Sequence, residues 1–114
     1  MTQDTSKQDP STLARLLVEA RRHGKLASFV PQMTPSLAEA MSIQKAVTDA
    51  IGATVAGWKV GYTPDGIPVA APIYGGDTYS SGAASRVGPS RKSGIEVEIA
   101  LLLGKDLPPR PGRP

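Results

Sequence analysis

The sequence contains no cysteine and only one histidine, His23. The absence of cysteine excludes a disulfide framework, a thiolate zinc site and a cysteine nucleophile. A single histidine leaves too little material for a histidine-rich metal site or a Ser-His-Asp triad. His23 itself stands where a helix is predicted to end, a position that favours contact with the last carbonyl groups of that helix rather than catalysis.

Long apolar runs and strong net charge are also lacking. No run approaches the roughly 20 residues of a membrane span, and the polar N-terminus has no apolar signal-peptide core. These absences predict a cytoplasmic protein without a membrane partner. Lys and Arg number 13 and Asp and Glu number 10, so the net charge is only +3, and aromatic residues make up 4%. No nucleic-acid partner is predicted, because no basic stripe with interleaved aromatic residues is present.

The distribution of glycine and proline divides the 114 residues into two halves. Residues 1–56 hold 5 of these residues and residues 57–114 hold 18. Helices followed by strands and turns predict an α+β fold. The expected organisation is a disordered tail over 1–10, a helical region over 11–53, a partial β-rich region over 54–107 and a proline-rich tail over 108–114.

Two helices are predicted, over residues 12–23 and 35–51, with Gly24 and Gly52 as their stops. The second can start at Thr34-Pro35, with proline in the first turn, or at the Ser36 and Glu39 capping box. Phe29 is predicted to anchor the core, and Gln44 to be a packing residue rather than a ligand. The expected buried stripes, at helical spacing, are Leu13, Leu16, Leu17 and Ala20 in the first helix and Leu37, Met41, Val47 and Ile51 in the second.

The period of the apolar residues changes to two from Thr54 onward, and strands are expected over residues 55–62 and 96–103. A short strand over 69–74 is interrupted by Pro72, which favours an edge or a bulge. Turns are predicted at residues 64–66 and 75–77, and a basic loop over 86–94.

Glu96 and Glu98 alternate along the last predicted strand and therefore share one face, about 6.6–6.8 Å apart at Cα. Two carboxylates at this spacing can converge on one hard cation that prefers oxygen ligands. The alternative is a strand with one solvated face. Ala100 and Leu102 continue the same face and are apolar, which indicates partial cover, and covered carboxylates need partners.

Lys59 is the second candidate site residue. It stands between Gly57 and Gly61 on one face of its strand, and glycine inside a strand often marks close approach by a backbone or a ligand. Lys59 can face an anionic ligand in a pocket. Alternatively, its stem covers apolar surface while the ammonium extends to solvent.

Six motifs in this order resemble a known family. The chain resembles the N-terminal part of the 2-keto-4-pentenoate hydratase family, within the fumarylacetoacetate hydrolase superfamily, over about residues 12–110. Gly-Trp-Lys-Val-Gly followed by Glu-x-Glu-Ile-Ala and Asp-Leu-Pro is the specific combination. The motifs are the Ala-Arg-Arg at 20–22, the Ala-Met-Ser-Ile-Gln at 40–44, the Gly-Trp-Lys-Val-Gly at 57–61, the Ala-Pro-Ile-Tyr-Gly at 71–75 and the Ile-Glu-Val-Glu-Ile-Ala at 95–100, with Asp-Leu-Pro at 106–108.

The resemblance implies a fold, a cofactor and site residues. The implied fold has N-terminal helices followed by part of a mixed β-sandwich or roll, incomplete in this chain. Glu96 and Glu98 match the first two carboxylate ligands of a divalent ion, Mg²⁺ or Mn²⁺, and Lys59 matches the active-site lysine. Gly61 and Tyr74 match substrate-binding positions.

The implied reaction is metal-assisted addition of water to a 2-hydroxydienoate or its 2-oxo-4-enoate tautomer, in the breakdown of aromatic compounds. Related members are decarboxylases or hydrolases of keto acids. Many members have aspartate where this chain has Ile73, and Asp77 is the substitute candidate.

The family's third carboxylate ligand lies well downstream of the Glu-x-Glu motif, so the chain is expected to be truncated. A homo-oligomer or a downstream chain is then expected to complete it. Three readings follow: an enzyme chain represented by its N-terminal portion, a non-catalytic or partner-dependent remnant, and an unrelated small binding domain. The last of these predicts that both glutamates face solvent away from Lys59.

Overall fold

The computed structural model describes residues 10–27, 35–84 and 94–112. The predictions made for the tail before residue 10, for Phe29 and for the basic loop up to residue 93 lie outside these ranges. The described elements form an α+β arrangement of two helices and one antiparallel sheet. In chain order they are α1 (Pro10–Arg22), α2 (Leu37–Ile51), β1 (Val55–Tyr62), β2 (Pro68–Tyr74) and a 3₁₀ turn (Gly75–Asp77).

The ends of both helices follow from local sequence. Ser36 caps α2: its side chain accepts from the backbone N–H of Glu39, while the Glu39 carboxylate accepts from the N–H of Ser36. This reciprocal capping box decides the start of α2 in favour of Ser36. Gly24 and Gly52 both have φ of +61°, the left-handed conformation that ends a helix. In the described part of the chain, neither helix combines the length and apolar character needed to cross a membrane.

The capping box gives the first testable prediction. Ser36→Ala is expected to destabilise α2 by about 1 kcal/mol, because the N–H of Glu39 loses its acceptor. Urea unfolding followed by far-ultraviolet circular dichroism measures this loss. Ser42→Ala is the matched control, because the Ser42 hydroxyl only donates to the Ala38 carbonyl within the same helix and alanine favours helix formation. Equal midpoints for Ser36→Ala and the unmodified chain would contradict the role of the cap.

The buried core differs from the predicted stripes. Among the described residues, the buried apolar side chains are Ala14, Val18 and Ile43. The prediction for α1 placed the buried stripe on the wrong face of the helix, because the side chains of Leu16 and Leu17 remain 42% and 38% exposed. The buried residues of α1, Ala14 and Val18, are spaced i, i+4 and therefore lie on one face of the helix. Their side chains are small, so α1 can pack closer to α2 than it could through leucine side chains.

The sheet is a two-stranded antiparallel hairpin. Lys59 pairs with Ala71 and Trp58 pairs with Pro72, and the register shifts between Val55 and Gly57. The predicted turn at residues 64–66 connects the strands, and Gly66 has a φ of +78° that favours glycine there. Pro72 is tolerated because each strand of a two-stranded sheet has one free edge.

Polar contacts join the helices to the sheet. Gln44 Nε2 donates to the Ala70 carbonyl at 2.9 Å, which confirms it as a packing residue. The Tyr74 hydroxyl lies 2.9 Å from Thr48 Oγ1. The Arg21 guanidinium lies 4.9 Å from the centre of the Tyr74 ring and forms an ion pair with Asp77. These contacts place Tyr74 at the junction of α1, α2 and the sheet.

The predicted strand over residues 96–103 is not formed. The structure assigns neither helix nor strand to residues 94–112. Alternating apolar residues give a segment the tendency to form a strand, but a strand also needs a neighbour with which to share backbone hydrogen bonds. Within the described ranges, the only strand pairing is that of β1 with β2. The segment therefore has the sequence of a strand but no neighbouring strand among the described residues with which to form backbone hydrogen bonds.

Candidate functional site

Lys59 occupies the middle of β1, on a face lined by small residues. Its neighbours on that face are Gly57 and Gly61, because alternate strand residues point the same way, and its cross-strand partner is Ala71. A side-chain carbon added at Gly61 would meet nothing within 4 Å, and one added at Gly57 would reach only the end of Ile73 at 4.0 Å. The Lys59 side chain therefore rises from an open patch of the sheet.

The Lys59 ammonium lies between two carboxylates. Its Nζ is 2.7 Å from Oε2 of Glu96 and 2.7 Å from Oε1 of Glu98. The three side chains are about half exposed or more, at 52%, 73% and 54%. Although residues 96–98 form no strand, both glutamates point toward one positive charge. The structure thus brings together the three residues that carry the metal and catalytic predictions.

The contact changes the acid strength of Lys59 and of Glu96. Hydrogen bonds to Glu96 and then to Glu98 hold the pKa of Lys59 well above its ordinary value. The hydrogen bond from Lys59, followed by its positive charge, lowers the pKa of Glu96. Because these groups are solvent-exposed, water and salt screen their attraction, and the contribution to folding stability is small. Their main effect is to fix charge: Lys59 stays protonated and Glu96 stays ionised at neutral pH.

A pH titration checks this coupling. Lys59→Met is expected to raise the pKa of Glu96 toward its ordinary value, because the ammonium that stabilises the carboxylate is gone. In the unmodified chain, the Glu96 contribution to stability is present above the unfolded-state pKa and is lost as pH falls through the lower folded-state pKa. NMR observation of the side-chain carboxyl carbon measures the shift. Lys45→Met, which breaks only the pair with Asp49, should leave Glu96 unchanged, and an unmoved Glu96 in Lys59→Met would contradict the ion pair.

The two carboxylates provide a partial donor set for a hard divalent cation. Mg²⁺ is commonly held by one or two carboxylates, with water and substrate oxygens completing its octahedron. Glu96 and Glu98 fit that pattern, because both already converge on a single cationic group. Within residues 10–27, 35–84 and 94–112, no cluster of three or more His, Cys, Asp or Glu side chains is positioned to hold a metal. The described residues therefore provide two protein ligands, Glu96 and Glu98, for a divalent cation.

The other predicted site residues are divided between the two faces of the sheet. Gly61 shares the Lys59 face. Tyr74 belongs to the opposite face, with its hydroxyl beside Thr48, so the structure does not bring it to the ammonium. Ile73 lies on the Lys59 face, whereas Asp77 is paired with Arg21 of α1. The substrate-binding roles of Gly61 and Tyr74 remain predictions.

An apolar groove that the sequence analysis did not predict lies between α2 and the sheet. It has a volume of about 430 Å³. Leu37 and Met41 are only partly buried because they border this groove rather than a packed layer. Two patterns in the sequence could have indicated the groove: the i, i+4 spacing of these two residues in α2, and the placement of Val60 and Tyr62 at alternate positions on one face of β1. The lining residues are Leu37, Met41, Val60, Gly61, Tyr62, Pro68, Val69 and Ala70.

Comparisons of the chain with protein-family models, with curated proteins and with solved structures gave no match. The chemistry of this site and the motifs that supply its residues are therefore what indicates a function. The strongest element is the convergence of Lys59, Glu96 and Glu98, which joins residues 37 positions apart in the chain.

Proposed function

We propose that the chain carries the metal-binding and keto-acid-binding residues of a hydratase of the 2-keto-4-pentenoate hydratase type. The reaction would add water to a 2-hydroxydienoate, or its 2-oxo-4-enoate tautomer, to give a 4-hydroxy-2-oxo acid. The observation that supports this proposal is the position of Lys59 Nζ, 2.7 Å from a carboxylate oxygen of both Glu96 and Glu98. The reading of an unrelated small binding domain predicts glutamates that lie away from Lys59, and this contact disfavours it.

Glu96 and Glu98 would hold Mg²⁺ or Mn²⁺ through carboxylate oxygens. The bound cation would polarise the 2-oxo group and stabilise negative charge that develops on it. Both glutamates keep an exposed side chain, so a substrate can approach the pair from solvent. The low pKa of Glu96 keeps its carboxylate ionised and available as a ligand without prior loss of a proton.

Lys59 would act through its positive charge. Its raised pKa means that Nζ holds its proton at neutral pH, so Lys59 is unsuited to act as a general base in this arrangement. A fixed ammonium can attract the carboxylate of a 2-oxo acid and stabilise enolate charge. The small neighbours Gly57, Gly61 and Ala71 leave space for a ligand beside the lysine stem.

The remainder of the site would come from another segment or chain. In this proposal, the β1–β2 hairpin is one part of a mixed β-sandwich of the fumarylacetoacetate hydrolase type, in a cytoplasmic protein. The two-carboxylate set and the openness of the Lys59 face support a chain that depends on a complement for the third ligand and for the wall of the pocket. The proposal for the isolated chain is therefore cation binding with little turnover.

Titration calorimetry with Mn²⁺ tests the metal site. The unmodified chain should bind loosely, with a Kd of about 1 mM, and Glu96→Gln combined with Glu98→Gln should abolish binding. The matched control combines Glu19→Gln with Asp49→Asn, which removes two exposed helix carboxylates and leaves the site intact. Equal binding by the two double variants would overturn the metal assignment.

Turnover is tested separately with 2-hydroxypentadienoate in the presence of Mn²⁺. The chain alone should show little or no hydration. Release of CO₂ from a 2-oxo diacid, measured in parallel, distinguishes a related decarboxylase. Robust hydration by the isolated chain would contradict the proposal that another segment or chain must complete the site. It would not affect the metal assignment, which the calorimetric titration tests.

A further inference from the structure

Residues 105–111 form a short, exposed segment with regularly spaced prolines. The segment reads Lys-Asp-Leu-Pro-Pro-Arg-Pro, and all of its residues are exposed. The chain bends at residues 104–105 and turns at residues 111–112, where Gly112 has a φ of +77°. Residues 106–110 between these points belong to neither helix, strand nor turn. The hydratase site proposed above uses no residue of this segment.

The sequence favours a polyproline II conformation over residues 107–111. Each proline holds its own φ at about −65° and moves the residue before it out of the helical region toward extended conformations. The three prolines therefore restrict themselves and also Leu107 and Arg110. Because the whole stretch is restricted in this way, it loses little conformational entropy when it binds a partner as a polyproline II helix.

The spacing places a cation and two proline rings on one edge of that helix. A polyproline II helix has about three residues per turn and rises about 3.1 Å per residue, so residues three apart lie on one edge, about 9 Å from each other. Lys105, Pro108 and Pro111 have this spacing. Asp106 and Pro109 lie on a different edge, so the acidic side chain of the segment is separated from its lysine edge.

The side chains of the segment are available to a partner. In the part of the chain that the structure describes, neither Lys105 nor Arg110 forms an ion pair. The Leu107 side chain is 72% exposed. Binding through this segment therefore breaks no contact of the described fold, and the Lys105 ammonium can meet an acidic group without losing a partner of its own.

We propose that residues 105–111 bind a folded domain of the SH3 type, which holds proline-rich segments in a groove lined by aromatic side chains. The rings of Pro108 and Pro111 enter this groove, and the Lys105 ammonium meets an acidic pocket at one end of it. The charge on the lysine edge fixes the direction in which the segment lies. This inference is independent of the proposed hydratase site and of metal binding.

The partner is a different protein rather than a second copy of this chain. Aromatic residues make up only 4% of the sequence, which is little material for an aromatic groove. The apolar groove between α2 and the sheet has a single aromatic side chain in its lining, Tyr62. Neither that groove nor the composition of the chain therefore supplies the aromatic walls that a proline-rich segment requires.

NMR titration of isotope-labelled SH3 domains tests the proposal. The probes are a panel of purified SH3 domains with acidic residues beside the groove, and the unlabelled 114-residue chain is the titrant. We expect saturable shifts of groove residues, and neutral substitutions of the acidic residues should weaken binding at least about tenfold. Binding that is unchanged by these substitutions, or the absence of groove shifts in every domain of the panel, would overturn the proposal.

Pro108→Ala and Pro109→Ala form a matched pair of variants. Each removes one proline and the restriction on the residue before it, so the loss of preorganisation is the same. Pro108 lies on the edge that enters the groove, whereas Pro109 does not. Pro108→Ala should therefore weaken binding at least about tenfold, and Pro109→Ala should weaken it much less. Equal losses would show that proline content rather than spacing determines binding, against the proposal.

Exchange of Lys105 and Asp106 tests the position of the charge. Lys105→Asp combined with Asp106→Lys keeps composition and net charge but moves the ammonium to a different edge. The exchange should weaken binding at least about tenfold, and circular dichroism should not change because these residues lie outside helix and strand. The matched control is the same exchange at Lys45 and Asp49 of α2, which should leave binding unchanged. Full binding after the exchange at 105 and 106 would indicate nonspecific attraction and overturn the proposal.

Discussion

Lys59→Glu is expected to bind Mn²⁺ at least about tenfold more tightly than the unmodified chain. In the structure the Lys59 ammonium lies between the carboxylates of Glu96 and Glu98. A cation that binds these carboxylates must compete with that ammonium. The substitution replaces the competitor with a third oxygen ligand, and it changes the formal charge of the three groups from −1 to −3.

Titration calorimetry at fixed ionic strength measures the effect, since salt screens exposed charges. Lys59→Met should be intermediate, because it removes the competing charge without adding a ligand. Lys45→Glu is the matched control: it makes the same change in net charge on α2, where Lys45 pairs with Asp49. If Lys45→Glu increases the affinity as much as Lys59→Glu, the gain reflects net charge rather than a local site.

The same variant separates the two roles proposed for Lys59. Tighter cation binding by Lys59→Glu should accompany weaker binding of a 2-oxo acid such as pyruvate in the presence of Mn²⁺, because the ammonium that attracts the carboxylate is replaced by a negative group. Calorimetric titration of pyruvate into the Mn²⁺-loaded variants gives this second measurement. Pyruvate binding by Lys59→Met that is as tight as binding by the unmodified chain would remove Lys59 from the binding of the acid.

The elements predicted correctly from the sequence are those fixed by local interactions. The start of α2 depends on Ser36 and Glu39, three residues apart, and its end depends on Gly52. The β1–β2 turn likewise needs only Gly66 and its neighbours. Each of these features depends on residues within about four positions of one another, so a short stretch of sequence is enough to predict it.

The predictions that failed depended on distant partners. Residues 95–103 have the period of a strand, but whether a ladder forms depends on another segment. The stripe of α1 was wrong because the close approach of α2 selects Ala14 and Val18 over the larger leucines. Hydrophobic periodicity indicates which element can form, but not which face meets a neighbour or how close that neighbour comes.

The candidate site was only partly predictable for the same reason. Alternation along β1 placed Lys59 between two glycines, and alternation at residues 96–98 placed the two glutamates together. The contact between Lys59 and Glu96, 37 residues apart, was expected only from the family resemblance, because neither local pattern indicates that the two segments meet. The opposite placement of Tyr74 follows from the register of β2 against β1, which no local signal in the sequence specifies.

Tyr74→Ala is expected to reduce the free energy of unfolding by about 2–3 kcal/mol, which is less than the usual cost of removing a fully buried aromatic side chain because Tyr74 is only half-buried. Three contacts are lost together: packing at the end of β2, the hydrogen bond to Thr48 and the Arg21 guanidinium over the ring. With so few buried apolar residues in the described structure, this is a large fraction of the total stability. The helix pair should then lose its attachment to the sheet.

Two probes in different elements can follow that separation during urea unfolding. Trp58, the only tryptophan, lies in β1 and reports on the sheet by fluorescence, while far-ultraviolet circular dichroism reports on α1 and α2. In Tyr74→Ala the two transitions should move to lower urea and cease to coincide, because the helices and the hairpin no longer unfold as one unit. Tyr74→Phe should cost about 1 kcal/mol, the value of the hydroxyl hydrogen bond. Tyr79→Ala, at a tyrosine that is 64% exposed, should leave both transitions in place, and an equal loss at Tyr79 and Tyr74 would show that the junction does not hold the helices on the sheet.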